Sequence, residues 1–273
     1  MTQLRGLLAV SLSLCAVGAG IGACSAVGFE LPNYGFYGFT PRPDGAILAP
    51  ALSTERMIRA DGDTTTLAEG SVELDTVRRG RDQAWLLTRR MPIAGGTTIE
   101  DSVWFDRWSL KTLATWRRDA SGDLRMTINR RAVDIERRGA DGRVARRKVL
   151  LPAEPYAMTG IDLIIATLPL QAGYNGSLPI VLEQRPEEMR WMKFDVTRGE
   201  AMVTVARGVV KFRPTWLVTT DLDNVQRKYW VAGDDRTVMR RELPGPEGER
   251  VRLVRGGRIP RVQLAPVEPL PLP

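Results

Sequence analysis

The chain has 273 residues, of which 43% are hydrophobic and 26% are charged, and its formal net charge is +7. It contains no histidine, which excludes Ser-His-Asp and Cys-His catalysis and histidine-ligated zinc. Its two cysteines, Cys15 and Cys24, provide neither a CxxC pair nor a disulfide framework. Since no other catalytic pattern stands out, we expect no enzymatic activity, no cofactor and no metal, in one large β domain or two small ones.

Residues 1–23 have the pattern of a bacterial lipoprotein signal peptide. Arg5 precedes an uncharged apolar stretch, Gly6–Ala23, that ends in small residues. The run Ile21-Gly22-Ala23-Cys24 resembles a lipobox, in which an aliphatic residue and two small residues precede the lipidated cysteine. We predict export, lipidation of Cys24 and anchoring in the bacterial cell envelope, on the periplasmic side of the inner or the outer membrane.

Two other interpretations of this segment stay open. Cleavage after Ala26 would release a secreted protein, because Cys24 and Ala26 then take the small-residue positions before the cleavage site. An uncleaved Gly6–Ala23 would instead remain as an anchor, because its length is close to the roughly 20 apolar residues of a membrane-spanning helix.

Residues 24–50 read as a linker. The segment is rich in proline, glycine and aromatic residues, and neither a helical nor a strand period persists. Such a tether suits a domain attached to a membrane. The aromatic residues from Phe29 to Phe39 pack on the domain as a strap, or the part from Tyr34 to Phe39 enters the membrane interface.

Residues 51–255 predict a β domain of about twelve strands. Apolar and polar residues alternate repeatedly, for example at Met192, Phe194 and Val196 and again at Val251 and Leu253. Glycine- and aspartate-rich turns separate the runs, as in an antiparallel meander. We predict a mostly β fold, a curved antiparallel meander in the form of a half-barrel or open barrel.

One short helix interrupts the strands. Residues 158–168 place apolar side chains at helical spacing, Thr159 is a suitable N-cap, and Pro169 ends the run. We predict a buried helix that fills the concave face of the sheet. Residues 256–273 form a Pro-rich tail, which proline excludes from a helix or a central strand.

Several motifs resemble an uncharacterised family of exported bacterial β-sheet domains, a domain of unknown function. They are Asp101-Ser102 followed by Asp106 and Ser109-Leu110, then Leu168-Pro169-Leu170 with Gly173-Tyr174, and Lys228-Tyr229-Trp230-Val231 in a late hairpin. The resemblance implies a fold for residues 51–255 and no activity. That fold is loosely similar to the LolA/LolB-type lipoprotein-carrier half-barrels, in which a curved sheet and a helix enclose an apolar cavity.

The charged residues suggest turns more than chemistry. Asp101 and Asp106 lie near tryptophans, an arrangement found in glycosidases, but we interpret Asp106 as opening a turn and Asp101 as ending a loop. The basic clusters, such as Arg146-Arg147-Lys148, come with no nucleic-acid-binding module. We expect no nucleic-acid partner.

Two hypotheses about function remain. The first is a membrane-tethered binding or carrier module for a lipid or another hydrophobic ligand, with a cavity between helix and sheet; its predicted lining is Ile161, Ile164, Ile165, Trp191 and Phe194. The second is an interaction domain with a filled core that docks an envelope protein through exposed strands or the tail. A hydrolase using only Asp and Glu comes third, and it requires two convergent buried carboxylates with perturbed pKa values.

Overall fold

Alternating sequence patterns produce a sheet of fifteen strands in the part of the chain that the structure describes. The structure is a computed structural model that describes residues 42–59, 66–92, 96–204, 210–245 and 250–258. These residues belong to one unit, Pro41–Pro273. The predicted signal segment, Cys24, the aromatic part of the linker and nearly all of the Pro-rich tail lie outside the described residues.

The strands have the following bounds: β1 (Ala51–Arg59), β2 (Thr66–Arg79), β3 (Asp82–Pro92), β4 (Thr98–Asp106), β5 (Thr112–Asp119), β6 (Gly122–Asn129), β7 (Ala132–Gly139), β8 (Val144–Leu150), β9 (Tyr156–Ala157), β10 (Asn175–Leu182), β11 (Arg185–Thr204), β12 (Val210–Leu222), β13 (Val225–Ala232), β14 (Val238–Pro244) and β15 (Arg250–Arg258). One α-helix, α1 (Ile161–Thr167), follows a 3-10 turn, Met158–Gly160, and a second 3-10 turn spans Gly45–Ile47. No helix among these described elements is both long and apolar enough to cross a membrane.

Strands that follow one another in the sequence are also neighbours in the sheet, except β8 and β9, and one long-range pairing joins β1 to β15. The order is β8-β7-β6-β5-β4-β3-β2-β1-β15-β14-β13-β12-β11-β10-β9, so the first strand pairs with the last at the middle of the sheet. The pairing is antiparallel except between β9 and β10. The sheet ends at β8 and β9, which do not pair with each other in this order. The predicted antiparallel meander is confirmed, with more strands than expected.

Strand alternation sorts side chains between two faces, as the sequence predicts. In β11, Met192, Phe194 and Val196 are buried, while Lys193 and Asp195 are exposed. The buried set faces α1, and we call that side of the sheet the inner face. Burying each large apolar side chain contributes about 1.5–3 kcal/mol. A one-residue slip of register would turn this whole set to the outer face and lose that stabilisation.

The sheet curls around α1. One buried cluster contains Trp85 of β3, Phe194 of β11 and Ile164 of α1. In a flat sheet, β3 and β11 would lie about 34 Å apart, since strands are spaced by about 4.8 Å. They share a core because the sheet is curved. A smaller buried cluster, which includes Met126, Val133 and Leu151, lies beside the β8 and β9 ends.

The helix is short and completely buried, which confirms the predicted plug on the inner face. All seven residues of α1 are buried. The hydroxyl of Thr167 donates to the carbonyls of Leu163 and Ile164, at 3.0 and 2.9 Å, and the α-helix ends one residue later at Leu168. The predicted N-cap is wrong: Gly160 precedes the α-helix, and Thr159 lies in the 3-10 turn. The backbone N–H of Thr159 is bound instead by the carboxylate of Glu183, at 2.8 Å.

The described end of the predicted linker packs on the domain. The N–H of Gly45 donates to the carbonyl of Trp108 at 2.8 Å, and the indole N–H of Trp85 donates to the carbonyl of Gly45 at 3.2 Å. Asp44 donates its N–H to the carbonyl of Thr167, the last residue of α1, at 3.2 Å. These bonds hold the Gly45–Ile47 turn beside the helix.

Candidate ligand-binding site

The register of the sheet brings charged side chains together on the inner face. Residues paired directly across antiparallel strands share a face. Val72 of β2 pairs with Ser53 on one side and with Arg89 on the other, and Arg89 pairs in turn with Asp101. On the other side of β1, Glu55 pairs with Arg255.

A further strand pairing and the helix α1 bring more polar and charged side chains to the inner face. Tyr229 pairs with Arg241, and Arg241 pairs with Leu253, which lies two residues before Arg255 on the same face. The helix adds Asp162, which is 2% exposed. We call five of these residues the buried charge cluster: Glu55, Arg89, Asp162, Arg241 and Arg255.

Asp162 is the centre of the buried charge cluster. Its Oδ2 accepts hydrogen bonds from Arg89 Nη2 at 2.5 Å and from Arg255 Nη2 at 3.5 Å. Arg89 Nη1 also donates to the carbonyl of Thr159 at 2.5 Å. Burial alone would raise the pKa of Asp162, but the positive charges of the neighbouring arginines, Arg89 first, hold it far below its usual range. Asp162 is therefore ionised at neutral pH.

Glu55, the second carboxylate of the buried charge cluster, is also buried beside arginines. Arg241 Nη2 donates to Glu55 Oε2 at 2.6 Å, and both side chains are at most 10% exposed. Burial favours the neutral acid, yet Arg241, Arg89 and Arg255 together hold the pKa of Glu55 below its ordinary value. With three arginines and two carboxylates, the cluster has a formal charge of 3 − 2 = +1.

Two other inward-facing carboxyl groups, those of Glu183 and Asp101, have pKa values above their ordinary values. Burial raises the pKa of Glu183 and that of Asp101, and the proximity of the two acids raises the pKa of Glu183 further. Asp101 lies within β4, so the expectation that it ends a loop is wrong. Asp106 does organise a turn, because its Oδ1 accepts from the N–H of Trp108 and from the N–H and hydroxyl of Ser109. The proposed Asp101–Asp106 pair therefore has two unrelated structural roles.

A cavity of about 190 Å³ lies between α1 and the inner face, next to the buried charge cluster. Asp162, Leu163 and Ala166 of the helix line it, since these three residues share one side of α1. Its other apolar residues are Ile47, Leu48, Ala49, Ala51, Val72, Leu74, Leu87 and Val238. Ile47 and Asp235 are exposed, whereas Leu87 and Asp162 are buried. The cavity thus runs from the surface inward to the charge cluster.

Polar groups are concentrated at the two ends of the cavity. Arg255 and Asp162 lie at the inner end, and Asp235 and Arg236 lie at the rim. Asp235 is partnered, because its carboxylate is 3.3 Å from Arg213 Nη2 and also accepts from the N–H of Thr237. Three polar atoms of the lining residues are buried and have no hydrogen-bond partner in the described part of the chain: the donors Arg255 Nε and Arg236 Nη1, and the acceptor Asp162 Oδ1.

The predicted cavity residues lie elsewhere in the fold. Ile161, Ile164, Ile165 and Phe194 are packed in the core at 3% exposure or less, and Trp191 is 37% exposed. None of these five lines the cavity described above. Trp191 precedes the inward-facing Met192, so strand alternation places it on the outer face. The predicted lipidation site, Cys24, falls outside the described residues.

The charged residues at the cavity were not predicted from the sequence, although two signals were present. Asp162 is the lone charge in the apolar run Ile161–Leu168. Arg255 continues the alternation of Val251 and Leu253, which places it on the inner face. Among the described residues, no group of three or more acidic side chains could hold a metal ion.

The fold and site define a mostly β domain in which an open antiparallel sheet wraps a short helix beside a small, partly charged cavity. No family model matches the chain, and no curated protein matches it. The chain is similar to a solved structure, the crystal structure of a β-barrel-like protein of a domain of unknown function, DUF1849, from Brucella abortus. The two are 8% identical, the match covers 76% of this chain and 96% of that chain, and the TM-score is 0.44.

Proposed function

We propose that this domain is a binding module that holds a small, largely apolar ligand in the cavity between α1 and the inner face. The observation that carries the proposal is the cavity itself, because small-molecule sites are usually concave, mostly apolar clefts with a few polar groups. Its wall is apolar at Val72, Leu74 and Leu163.

The size of the cavity limits the ligand. An engineered apolar cavity of about 150 Å³ binds benzene, whereas pockets for drug-sized ligands measure roughly 300–1,000 Å³. At about 190 Å³, the cavity fits a single ring or a short alkyl chain. If the domain carries a lipid, only one end of an acyl chain would enter this space.

Calorimetry with small probes tests this function. The purified full chain is titrated with toluene, 1-hexanol and hexanoate, and at least one probe should bind with one-to-one stoichiometry. Ala166→Leu fills the cavity from α1 and should abolish this binding. Ala145→Leu adds the same atoms on the exposed strand β8 and should leave binding unchanged. If no probe binds, or if Ala166→Leu binds like the original chain, the proposal is wrong.

We also propose that the protein is an exported lipoprotein of the bacterial envelope. The support is the charge-free stretch Gly6–Ala23 and the lipobox-like run ending at Cys24. Metabolic labelling with palmitate should label the full chain in a bacterial host, and Cys24→Ser should abolish the label. Cys15→Ser is the control and should take up as much label as the original chain. Label that persists in Cys24→Ser, or label that is lost in Cys15→Ser, would contradict lipidation at Cys24.

A second candidate function is docking of an envelope protein on strand β8. This strand ends the sheet, and Val144 and Leu150 are 45% and 73% exposed. An end strand has unpaired backbone groups that can pair with an extended segment of a partner. The N–H of Leu150 faces the open edge, because the hydrogen bond from Leu151 to Arg131 turns the alternate residues of β8 toward β7. Leu150→Pro removes this N–H, and it should weaken capture of any partner recovered by crosslinking in cells. Unchanged capture would exclude β8 as the docking strand.

A further inference from the structure

We propose that the ligand of the cavity carries an oxyanion, which the guanidinium groups of Arg255 and Arg236 bind while its apolar part lies against Val72, Leu74 and Leu163. This inference rests on the proposed function, since it names the class of ligand for the same cavity. A carboxylate on a short alkyl chain or on one ring is the simplest member of that class.

The first support is the hydrogen-bonding state of the two arginines. Both residues line the cavity, one at its inner end and one at its rim. Arg255 Nε and Arg236 Nη1 are buried and lack a partner within the described ranges. Buried polar groups in folded proteins are nearly always hydrogen-bonded, and an orphaned charged donor is especially unfavourable. An oxyanion in the cavity would accept from these donors.

The second support is the balance of charge around the cavity. The charge of Asp162 is shared between Arg89 and Arg255, while Arg213 pairs with both Asp234 and Asp235. With Arg236, the rim has two arginines and two carboxylates and is formally neutral. Arg236 has no ion pair with an acid in the part of the chain that is described. The adjacent buried charge cluster has a formal charge of +1 by the count given above. One bound anion would offset positive charge on this side of the cavity.

The third support is the backbone at the rim. Arg236 has a φ of 57°, a left-handed conformation that is uncommon for a residue with a side chain. The turn is fixed by Asp235, whose carboxylate accepts from the N–H of Thr237 at 2.9 Å. Similar positive φ values occur in other turns, at Leu110, Arg130, Asp223 and Asn224. The support therefore lies in where this turn places Arg236 and not in backbone strain. The turn holds Arg236 at the rim of the cavity.

The choice of an oxyanion follows from guanidinium chemistry. Arginine presents a planar fork of N–H donors that matches the oxygens of a carboxylate or a phosphate. The apolar wall beside the fork requires an uncharged tail, and the volume of about 190 Å³ limits that tail to a few carbons. A neutral hydroxyl or carbonyl oxygen could also accept from these donors, but an oxyanion forms charge-assisted hydrogen bonds, which are roughly twice as strong.

The test compares ligands that share a six-carbon chain and differ in their head group. The purified full chain is titrated with hexanoate, hexyl phosphate, 1-hexanol and inorganic phosphate. We expect the two amphiphilic anions to bind at least tenfold more tightly than 1-hexanol, and inorganic phosphate to bind more weakly than hexyl phosphate. The stronger of the two anions distinguishes a carboxylate from a phosphate head group.

Arg236→Gln tests the role of the rim arginine, because this residue is outside the buried charge cluster and its loss should leave the fold intact. It should weaken hexanoate binding at least tenfold and weaken 1-hexanol binding by a smaller factor, because the hydroxyl carries no charge. Arg143→Gln is the matched control, since that side chain is 91% exposed. In the original chain, the arginine Nε–Hε NMR signal of Arg255 should shift on addition of hexanoate, which reports on Arg255 without a mutation.

The outcomes separate the two proposals. If 1-hexanol binds as tightly as hexanoate, and Ala166→Leu abolishes both, the cavity is a ligand site and the oxyanion inference is wrong. If hexanoate binds equally to the original chain and to Arg236→Gln, without moving the Arg255 signal, the inference is also wrong. If none of the four probes binds in the cavity, the proposed function fails, and the oxyanion inference fails with it.

Discussion

Arg89 on β3 and Asp162 on α1 are joined by a 2.5 Å hydrogen bond between Nη2 and Oδ2, and both side chains are at least 89% buried, since their exposure is 11% and 3%. The same guanidinium holds the carbonyl of Thr159, one turn earlier in the chain. The sheet therefore fixes the position of its plug through charged groups as well as apolar ones. The placement of α1, and with it one wall of the cavity, depends on this contact.

Asp162→Asn should destabilise the domain strongly. The substitution keeps the size of the side chain but leaves Arg89 and Arg255 without their counter-charge, and losing one partner of a buried ion pair costs about 3–5 kcal/mol. Urea unfolding at pH 7 measures the change in the free energy of unfolding. Asp141→Asn is the control, because Asp141 is 57% exposed, and exposed substitutions usually fall within about 0.5 kcal/mol.

The pH dependence of the same variant gives an independent check. The pKa of Asp162 is lower in the folded protein than in the unfolded chain, so its contribution is present above about pH 4 and is lost as the pH falls below that value. The stability difference between the original chain and Asp162→Asn should shrink between pH 5 and pH 2. A difference that stays constant over this range would contradict the role assigned to Asp162.

Glu183→Gln should show the opposite sign. Burial raises the pKa of Glu183 in the folded protein, so the folded state binds more protons than the unfolded chain, and stability falls as the pH rises above the ordinary value near 4.5. Glutamine keeps an oxygen for the Thr159 N–H and carries no charge. The original chain should lose stability relative to Glu183→Gln as the pH rises from about 4.5 toward neutrality, measured by urea unfolding. An equal dependence on pH in both proteins would show that Glu183 does not titrate there.

Gly160→Ala should disturb the start of α1. A Cβ at this position would lie 2.2 Å from Cζ of Phe105, and Phe105 is completely buried, so the ring has little room to move. Overpacking of this kind costs about 1–3 kcal/mol. Gly233→Ala is a matched control, because nothing lies within 4 Å of its Cβ position. Thermal unfolding should separate the two variants, and equal melting temperatures would contradict the packing described here.

Tyr229→Phe should not destabilise the domain. The ring is completely buried, and its hydroxyl has no hydrogen-bond partner in the described residues; burial also raises the pKa of this hydroxyl to about 12. Removing an unsatisfied polar atom while keeping the ring is neutral or stabilising by up to about 1 kcal/mol. Tyr229→Ala, which removes the ring, should cost about 3–5 kcal/mol. A clear loss of stability in Tyr229→Phe would reveal a partner for the hydroxyl.

The elements that follow from local pattern were predictable, and the site was not. The alternation around Phe194 and the apolar spacing in residues 158–168 gave the strands and the helix, because side-chain periodicity depends only on neighbours in the sequence. The same rule places Trp191 on the outer face, opposite to Met192, and this conflicts with the prediction that Trp191 lines the cavity. The cavity depends on which distant segments meet, and no local pattern contains that information.

The pairing of β1 with β15 illustrates the missing information. Glu55 and Arg255 are 255 − 55 = 200 residues apart and lie side by side in the sheet. Each strand alone has an ordinary alternating pattern, so neither identifies its partner. The buried charge cluster draws residues from β1, β3, β14, β15 and α1, and it exists only after this pairing forms.

This arrangement also determines when the domain can fold during biosynthesis. The strand that pairs with β1 near the middle of the sheet is the last of the described strands to be made. A nascent chain that ends before residue 250 therefore has β1 with an open edge and lacks Arg255, one of the three arginines of the buried charge cluster. High contact order of this kind slows folding, and unpaired strand edges favour aggregation while it proceeds. A chain with this topology gains from being kept unfolded until β15 is available, and it is then stabilised in one late, cooperative step.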